Sequence, residues 1–188
     1  MNLEEYREWL KQNANQEEAK AYEVAQEIIN YHSTFWYRSE KFEVELFPRK
    51  VITHEGDRLE FDLIMVFEWV TDTFGHKRTY TRTVGVEFKE TDIRKVIQQA
   101  IRRRDFVDYM YIATRNVVLD HLEHILMAEF GIGWVIWDED FAKMIIPSHY
   151  KYPVHSIVNI IDYLAEKAVE GQLEKKLKEL KLTDFFKQ

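Results

Sequence analysis

The stretch Thr83-Val84-Gly85-Val86-Glu87-Phe88-Lys89-Glu90-Thr91-Asp92 runs an alternating pattern straight into a helical one. Up to Lys89, Val84, Val86 and Phe88 fall on one side of an extended strand, and Glu87 and Lys89 on the other, because successive side chains of a strand point to opposite faces. From Ile93 the apolar residues Ile93, Val96, Ile97, Ala100 and Ile101 recur at i, i+3, i+4, i+7 and i+8, the stripe of an amphipathic helix over 91–104. A core strand that feeds an amphipathic helix asks for an α/β architecture, with the helix laid on a sheet face.

The neighbouring segments agree. Residues 3–12 read as a short helix with Leu3, Tyr6, Trp9 and Leu10 on one face and Asn2 as its cap, and 16–33 as a longer one with Ala21, Tyr22, Ala25, Ile28, Ile29 and His32 in a stripe. From Lys41 to Ile52 the period is two, and Pro48 marks an edge. A turn at 54–57 leads to the strand 59–70, and a second connection at 71–76 leads to the Glu87 strand, so three strands form an antiparallel meander. On that meander Glu43 or Glu45 is expected to share an edge with Asp62 and Glu87. A strand at 106–114, a helix at 117–130 carrying Val118, Leu122, Ile125, Leu126 and Glu129 and stopped by Gly131, and strands at 132–137 and 142–146 follow. Strand, helix and strand over this length imply a crossover and a parallel pair. After Pro153 come a helix with Ile157, Ile160, Ile161 and Leu164 and a heptad-like segment with Leu173, Leu177 and Leu180, suited to packing on its own domain or on a second copy.

The chemistry concentrates on Asp62, Glu87 and Lys89. Asp62 lies inside the apolar run 59–67, where an acid is costly to bury unless it is paired or binds a cation. Glu-x-Lys occurs four times in the chain, but three of these lie in expected helices, where residues two apart do not face each other; only Glu87/Lys89 sits on a strand. Asp62, then Glu87-Phe88-Lys89, then a helix bearing Gln98, resembles the PD-(D/E)XK, or restriction-endonuclease-like, superfamily. The similarity continues through 106–114 and 131–138 and covers about residues 15–147. Phe61 precedes Asp62, so there is no Pro-Asp pair, but that proline is often absent in the family.

That resemblance implies a three-layer α-β-α core with a mixed sheet over 1–150, and a helical extension over 151–188. It further implies Mg²⁺ or Mn²⁺ held by Asp62, Glu87 and the Phe88 carbonyl, Lys89 positioning water, and Gln98 orienting it or contacting the scissile strand. Glu18 or Glu23 would supply the family's first-helix acid. Both also read as ordinary solvated helix charges. Arg94, Gln98 and Arg102 form an i, i+4 row, and Arg102-Arg103-Arg104 is the densest positive run in the chain. The three arginines read either as complements of a helix dipole or as a DNA phosphate contact. His121 and His124, three apart on one helix, lack an evident third metal ligand and read as surface residues.

The chain has 188 residues and 46% hydrophobic content, enough for one sizeable core. The absence of cysteine removes disulfides, a thiol nucleophile and zinc thiolates, and the acidic opening Met1-Asn2-Leu3-Glu4-Glu5 is unlike a secretory signal. No apolar run approaches a membrane span, so a cytoplasmic protein is expected. Abundant Lys and Glu would suit a thermophile. Hydrolysis of DNA phosphodiesters is the leading expectation. A net charge of −7 keeps a second class open, since the superfamily also contains archaeal TATA-binding-protein-interacting proteins, nuclease-like in fold, which act by binding a transcription factor.

Overall fold

In a computed structural model of the chain, the described residues are 1–153 apart from 36–38, 40, 55 and 116, together with 162, 164–166, 169–173 and 175. Asn2 begins helix α1 (Leu3–Asn13) through a capping box in which its side chain accepts from the Glu5 amide and the Glu5 carboxylate accepts from its own. A 3₁₀ turn (Gln16–Glu18) separates α1 from α2 (Ala21–Ser33). Strands β1 (Lys41–His54), β2 (Asp57–Thr73) and β3 (His76–Lys89) come next, then α3 (Ile93–Arg103), a second 3₁₀ turn (Arg104–Phe106), β4 (Tyr109–Arg115), α4 (His121–Phe130), β5 (Ile132–Trp137) and β6 (Ala142–Ile146).

The six strands form one sheet in chain order. Pairing is antiparallel from β1 to β3, parallel from β3 to β5 and antiparallel again at β6. Alternation on β3 divides the core in two. Val84, Val86 and Phe88 join Leu46, Leu63, Met65 and Phe67 beneath Tyr6 of α1 and Val24, Ala25 and Ile28 of α2. On the other face Phe61, Ile64, Met110 and Ile112 meet Ile93, Val96, Ile97 and Ala100 of α3 and Met127 of α4. Each large aliphatic side chain so enclosed contributes roughly 1.5–3 kcal/mol. This is a three-layer α/β fold with a mixed open sheet. Close approach at β3 depends on Gly85, where an added Cβ would sit 2.9 Å from both Phe61 and Met110. Among the described residues no helix is long and apolar enough to cross a membrane.

Three expectations need correction. The helix expected over 16–33 is broken, because Asn15 and Glu18 form a capping box of their own and end the first turn at Glu18. The helix expected over 117–130 starts only at His121, where Asp120 and Glu123 form a third such box. Its expected inner stripe faces outward in part: Val118 is 97% exposed and Leu122 and Ile125 are at least half exposed, while Glu123 and Met127 turn inward. Nor do Glu43 and Glu45 approach Asp62. They sit opposite Glu68 and Val66 on β2, beside Lys41 and the N-terminal ammonium.

Of the C-terminal expectations, Leu164 is buried in the core beneath α3 and α4, and Leu173 is exposed. Ile157, Ile160, Ile161, Leu177 and Leu180, and with them a dimer formed through this segment, lie outside the described residues.

Candidate functional site

Asp62 and Glu87 sit just beyond the last ladder pair of β2 and β3, Leu63 opposite Val86. There the Phe88 N–H, instead of bonding a β2 carbonyl, donates to Asp62 Oδ2 at 2.8 Å. Burial pushes the Asp62 carboxyl up to about 6. The Phe88 amide pulls it down, Glu18 pushes it further up, and Arg103 and Lys89 pull it down again. Glu87 is 1% exposed, and its carboxyl is raised well above the ordinary value by burial and by Asp62, with the Arg103 guanidinium and the Asp62 amide acting the other way.

Arg103 reaches Glu87 from the last turn of α3, with Nε 3.1 Å from Oε1. The two atoms are close but misaligned, so among the described residues neither Oε1 nor Nε makes a hydrogen bond. Their attraction is coulombic, and it leaves a buried carboxylate oxygen without a donor. Lys89 turns to a different layer. Its Nζ lies 2.7 Å and 2.5 Å from the two carboxylate oxygens of Glu17, in the 3₁₀ turn after α1. The adjacent Glu18 is buried and takes Arg49 in a two-pronged pair, Nε to Oε1 at 3.1 Å and Nη2 to Oε2. Arg49 can make this reach because its backbone adopts φ +48°, a kink following Pro48. The pairs Glu17–Lys89 and Glu18–Arg49 on the α1–α2 side and Glu87–Arg103 on the α3 side thus flank Asp62 at one end of the sheet.

The alternation of β3 sets Glu87 and Lys89 side by side on one face, whereas Glu87 meets Arg103 of α3 and Lys89 meets Glu17 after α1. Of the two first-helix candidates, Glu18 is in the cluster as an ion-paired buried residue, not a solvated charge. Glu23 lies outside it, paired with Lys20. Glu17 was missed. The Asn15-x-x-Glu18 capping signature was the available clue, since it fixes the turn that buries Glu18 and sets Glu17 beside Lys89. Gln98 is exposed on α3, whereas Gln99 is half-buried one full turn before Arg103, on the row that faces Glu87.

The basic run does not form one surface. Arg102 is exposed and Arg103 faces Glu87. Arg104 is 1% exposed and donates to the carbonyls of Val107, Asp108, Phe130 and His149 at 2.7–3.3 Å. Arg94 bridges to Asp120 and Glu123 at the start of α4. His121 and His124 are exposed, and among the described residues no three acids or histidines come together to cage a metal.

The class defined by these observations is a three-layer α/β protein with acids and a lysine gathered where its antiparallel and parallel halves meet on β3. No protein-family model, curated protein or solved structure matches the chain.

Proposed function

We propose that this chain is a metal-dependent DNA nuclease of the PD-(D/E)XK type. The observation that carries the reading is the pair Asp62 and Glu87. They are two carboxylates on neighbouring strands, both with raised proton affinity because burial outweighs the cationic charge around them. A divalent cation is a group such a pair can take, with Glu87 Oε1, which now faces Arg103 Nε at 3.1 Å, as one of its hard oxygen ligands. Mg²⁺ is commonly held by only one or two carboxylates, with waters and substrate phosphate completing the shell, so two acids suffice.

Asp62 and Glu87, with the Phe88 carbonyl, would hold Mg²⁺ or Mn²⁺. The ion, when bound, polarises the phosphoryl oxygens and makes its bound water a stronger acid. Lys89, released from its pair with Glu17, would offset charge developing on the phosphate. Gln99, on the Arg103 row of α3, takes the orienting role that the resemblance gives to Gln98. Incubation with labelled single-stranded, duplex and branched DNA, with and without Mn²⁺, tests this directly. Cleavage that requires Mn²⁺ and disappears in Glu87→Gln supports it; full cleavage by Glu87→Gln rejects it.

One observation favours a second reading. Arg103 and Lys89 already neutralise part of the acid set from within the protein, as a non-catalytic member of such a fold would require. On that reading the acidic chain is an interaction protein binding the archaeal TATA-binding protein and regulating transcription. Absence of both cleavage and a Mn²⁺-dependent rise in melting temperature would select it.

A further inference from the structure

The β2–β3 hairpin projects beyond the helical layers. The first four residues of β3 are exposed and the next three half-buried, before the strand enters the core at Thr83. Thr73 pairs with His76, so the loop is the two residues Phe74 and Gly75, with φ of +55° and +81°. This is a type I′ connection, whose first central position favours Asn, Asp or Gly because it needs a left-handed backbone. Here a phenylalanine occupies it, 98% exposed. A bulky aromatic at positive φ is a rare and strained choice. Placing it where it touches only solvent gives the fold nothing in return.

The tip is also stiff. Asp72 Oδ1 accepts the Gly75 N–H at 2.8 Å, and lower down Trp69 and Tyr80 stack across the strands with centroids 5.5 Å apart and planes 17° from parallel. Its charge runs against that of the whole protein. Residues 71–78, paired end to end, hold one acid, Asp72, against Lys77 and Arg78, a balance of +1 on a chain of −7. Lys77 and Arg78, on the limb just after the turn, are exposed.

We propose that this hairpin is a duplex-DNA-binding element, with Phe74 as an apolar wedge at a base step and Lys77 and Arg78 on the flanking phosphates. A two-stranded ribbon fits a DNA groove, and apolar side chains inserted between base steps are a recognised way of gripping and bending a duplex. A preorganised tip bears the ordering cost before binding. From Asp62 to Phe74 the ribbon spans roughly 35–40 Å at ~3.3 Å per residue, about one turn of B-DNA, so one duplex can meet both ends. The hairpin assignment holds whether or not the acids cleave.

The test is fluorescence anisotropy with a duplex of roughly three helical turns, carrying 2-aminopurine, in EDTA so that no hydrolysis intervenes. The full chain should bind at low salt and raise the 2-aminopurine signal as the base step opens. Phe74→Asn, which suits the left-handed position, should melt no lower than the parent yet bind about ten-fold more weakly without the signal. Lys77→Ser with Arg78→Ser should flatten the slope of log K against log salt by about 2. A parent chain that holds no duplex, a Phe74→Asn variant that binds as tightly, or retention of single strands alone overturns the proposal. Mn²⁺-dependent hydrolysis by Glu87→Gln is read in a separate cleavage assay, so failure of the acid site and failure of the hairpin register separately.

Discussion

Replacing Asp62 by Asn is the sharpest probe of the acid cluster. The carboxamide oxygen can still accept the Phe88 N–H, so the hydrogen bond at 2.8 Å survives while the charge does not. An ordinary aspartic acid ionises near 3.8, and Asp62 in the fold near 6. Each pKa unit is worth ~1.36 kcal/mol, so holding the ionised form at neutral pH costs about 3 kcal/mol. Some solvent reaches Asp62, which lowers the expected gain for Asp62→Asn to about 2–3 kcal/mol. For a chain of this length that is a melting increase of roughly 4–12 °C. The sign is opposite to that of a salt-bridged acid. The folded state takes up its proton at higher pH than the unfolded one, so the penalty is full above pH 6, shrinks as pH falls and is gone below 3.8. Thermal melts in metal-free buffer at pH 7.5 and pH 4 should show the variant ahead at the first and level at the second. A variant less stable than the parent at pH 7.5 would refute the reasoning, because ionised Asp62 would then be a favourable partner of Lys89 and Arg103.

Burial holds the His32 imidazole down to about 4 from its ordinary 6.5, so the unfolded chain takes the proton first and His32 costs stability as pH falls from 6.5 to 4. That loss reaches roughly 3 kcal/mol, and urea midpoints of His32→Gln should fall less between pH 7 and pH 4.5 than those of the parent. Arg104→Ala strands four carbonyls inside the protein and should destabilise by about 3–5 kcal/mol in chemical denaturation, whereas exposed Arg102→Ala should stay within about 0.5. At Gly133 an added Cβ would lie 2.4 Å from the Tyr111 ring, whose hydroxyl bonds His32 at 3.0 Å. Gly133→Ala should therefore cost about 1–3 kcal/mol, readable as a shifted urea midpoint.

Periodicity made the fold legible. The meander, the β3-to-α3 passage and the last two strands all announce themselves through period two or 3.6, because one face of each is buried. The helix 121–130 was misread for a local reason. Glu123 is buried as the third residue of a capping box and as a partner of Arg94, so a charged residue occupies an inward position that hydrophobicity alone assigns to its neighbours. Of the site, the residues on adjacent strands were visible and those that complete it were not. Arg49 enters through a backbone kink and Arg103 through the end of a helix read as a basic surface. Glu17 enters through a 3₁₀ turn whose sequence reads as the start of the following helix. Each depends on contacts between segments far apart in the chain, which no local pattern records.

The kink at Pro48–Arg49 also bears on how copies of this protein coexist at high concentration. A sheet open at both sides offers two rows of unpaired backbone groups to any other extended chain. The β1 side is 14 residues long, ample to template a cross-chain strand, but Pro48 has no N–H to offer and the left-handed Arg49 breaks the straight run. On the β6 side the Glu27 carboxylate already takes the Met144 N–H at 3.1 Å, with α2 serving as a guard rail over the last strand. Strand addition is thus opposed at both margins, at β1 by an imino acid and by Met1, which pairs with the Leu46 N–H and C=O, and at β6 by a helix-borne carboxylate. Exchanging Pro48 for a β-branched residue should make the protein prone to fibrillar assembly before it makes it unstable.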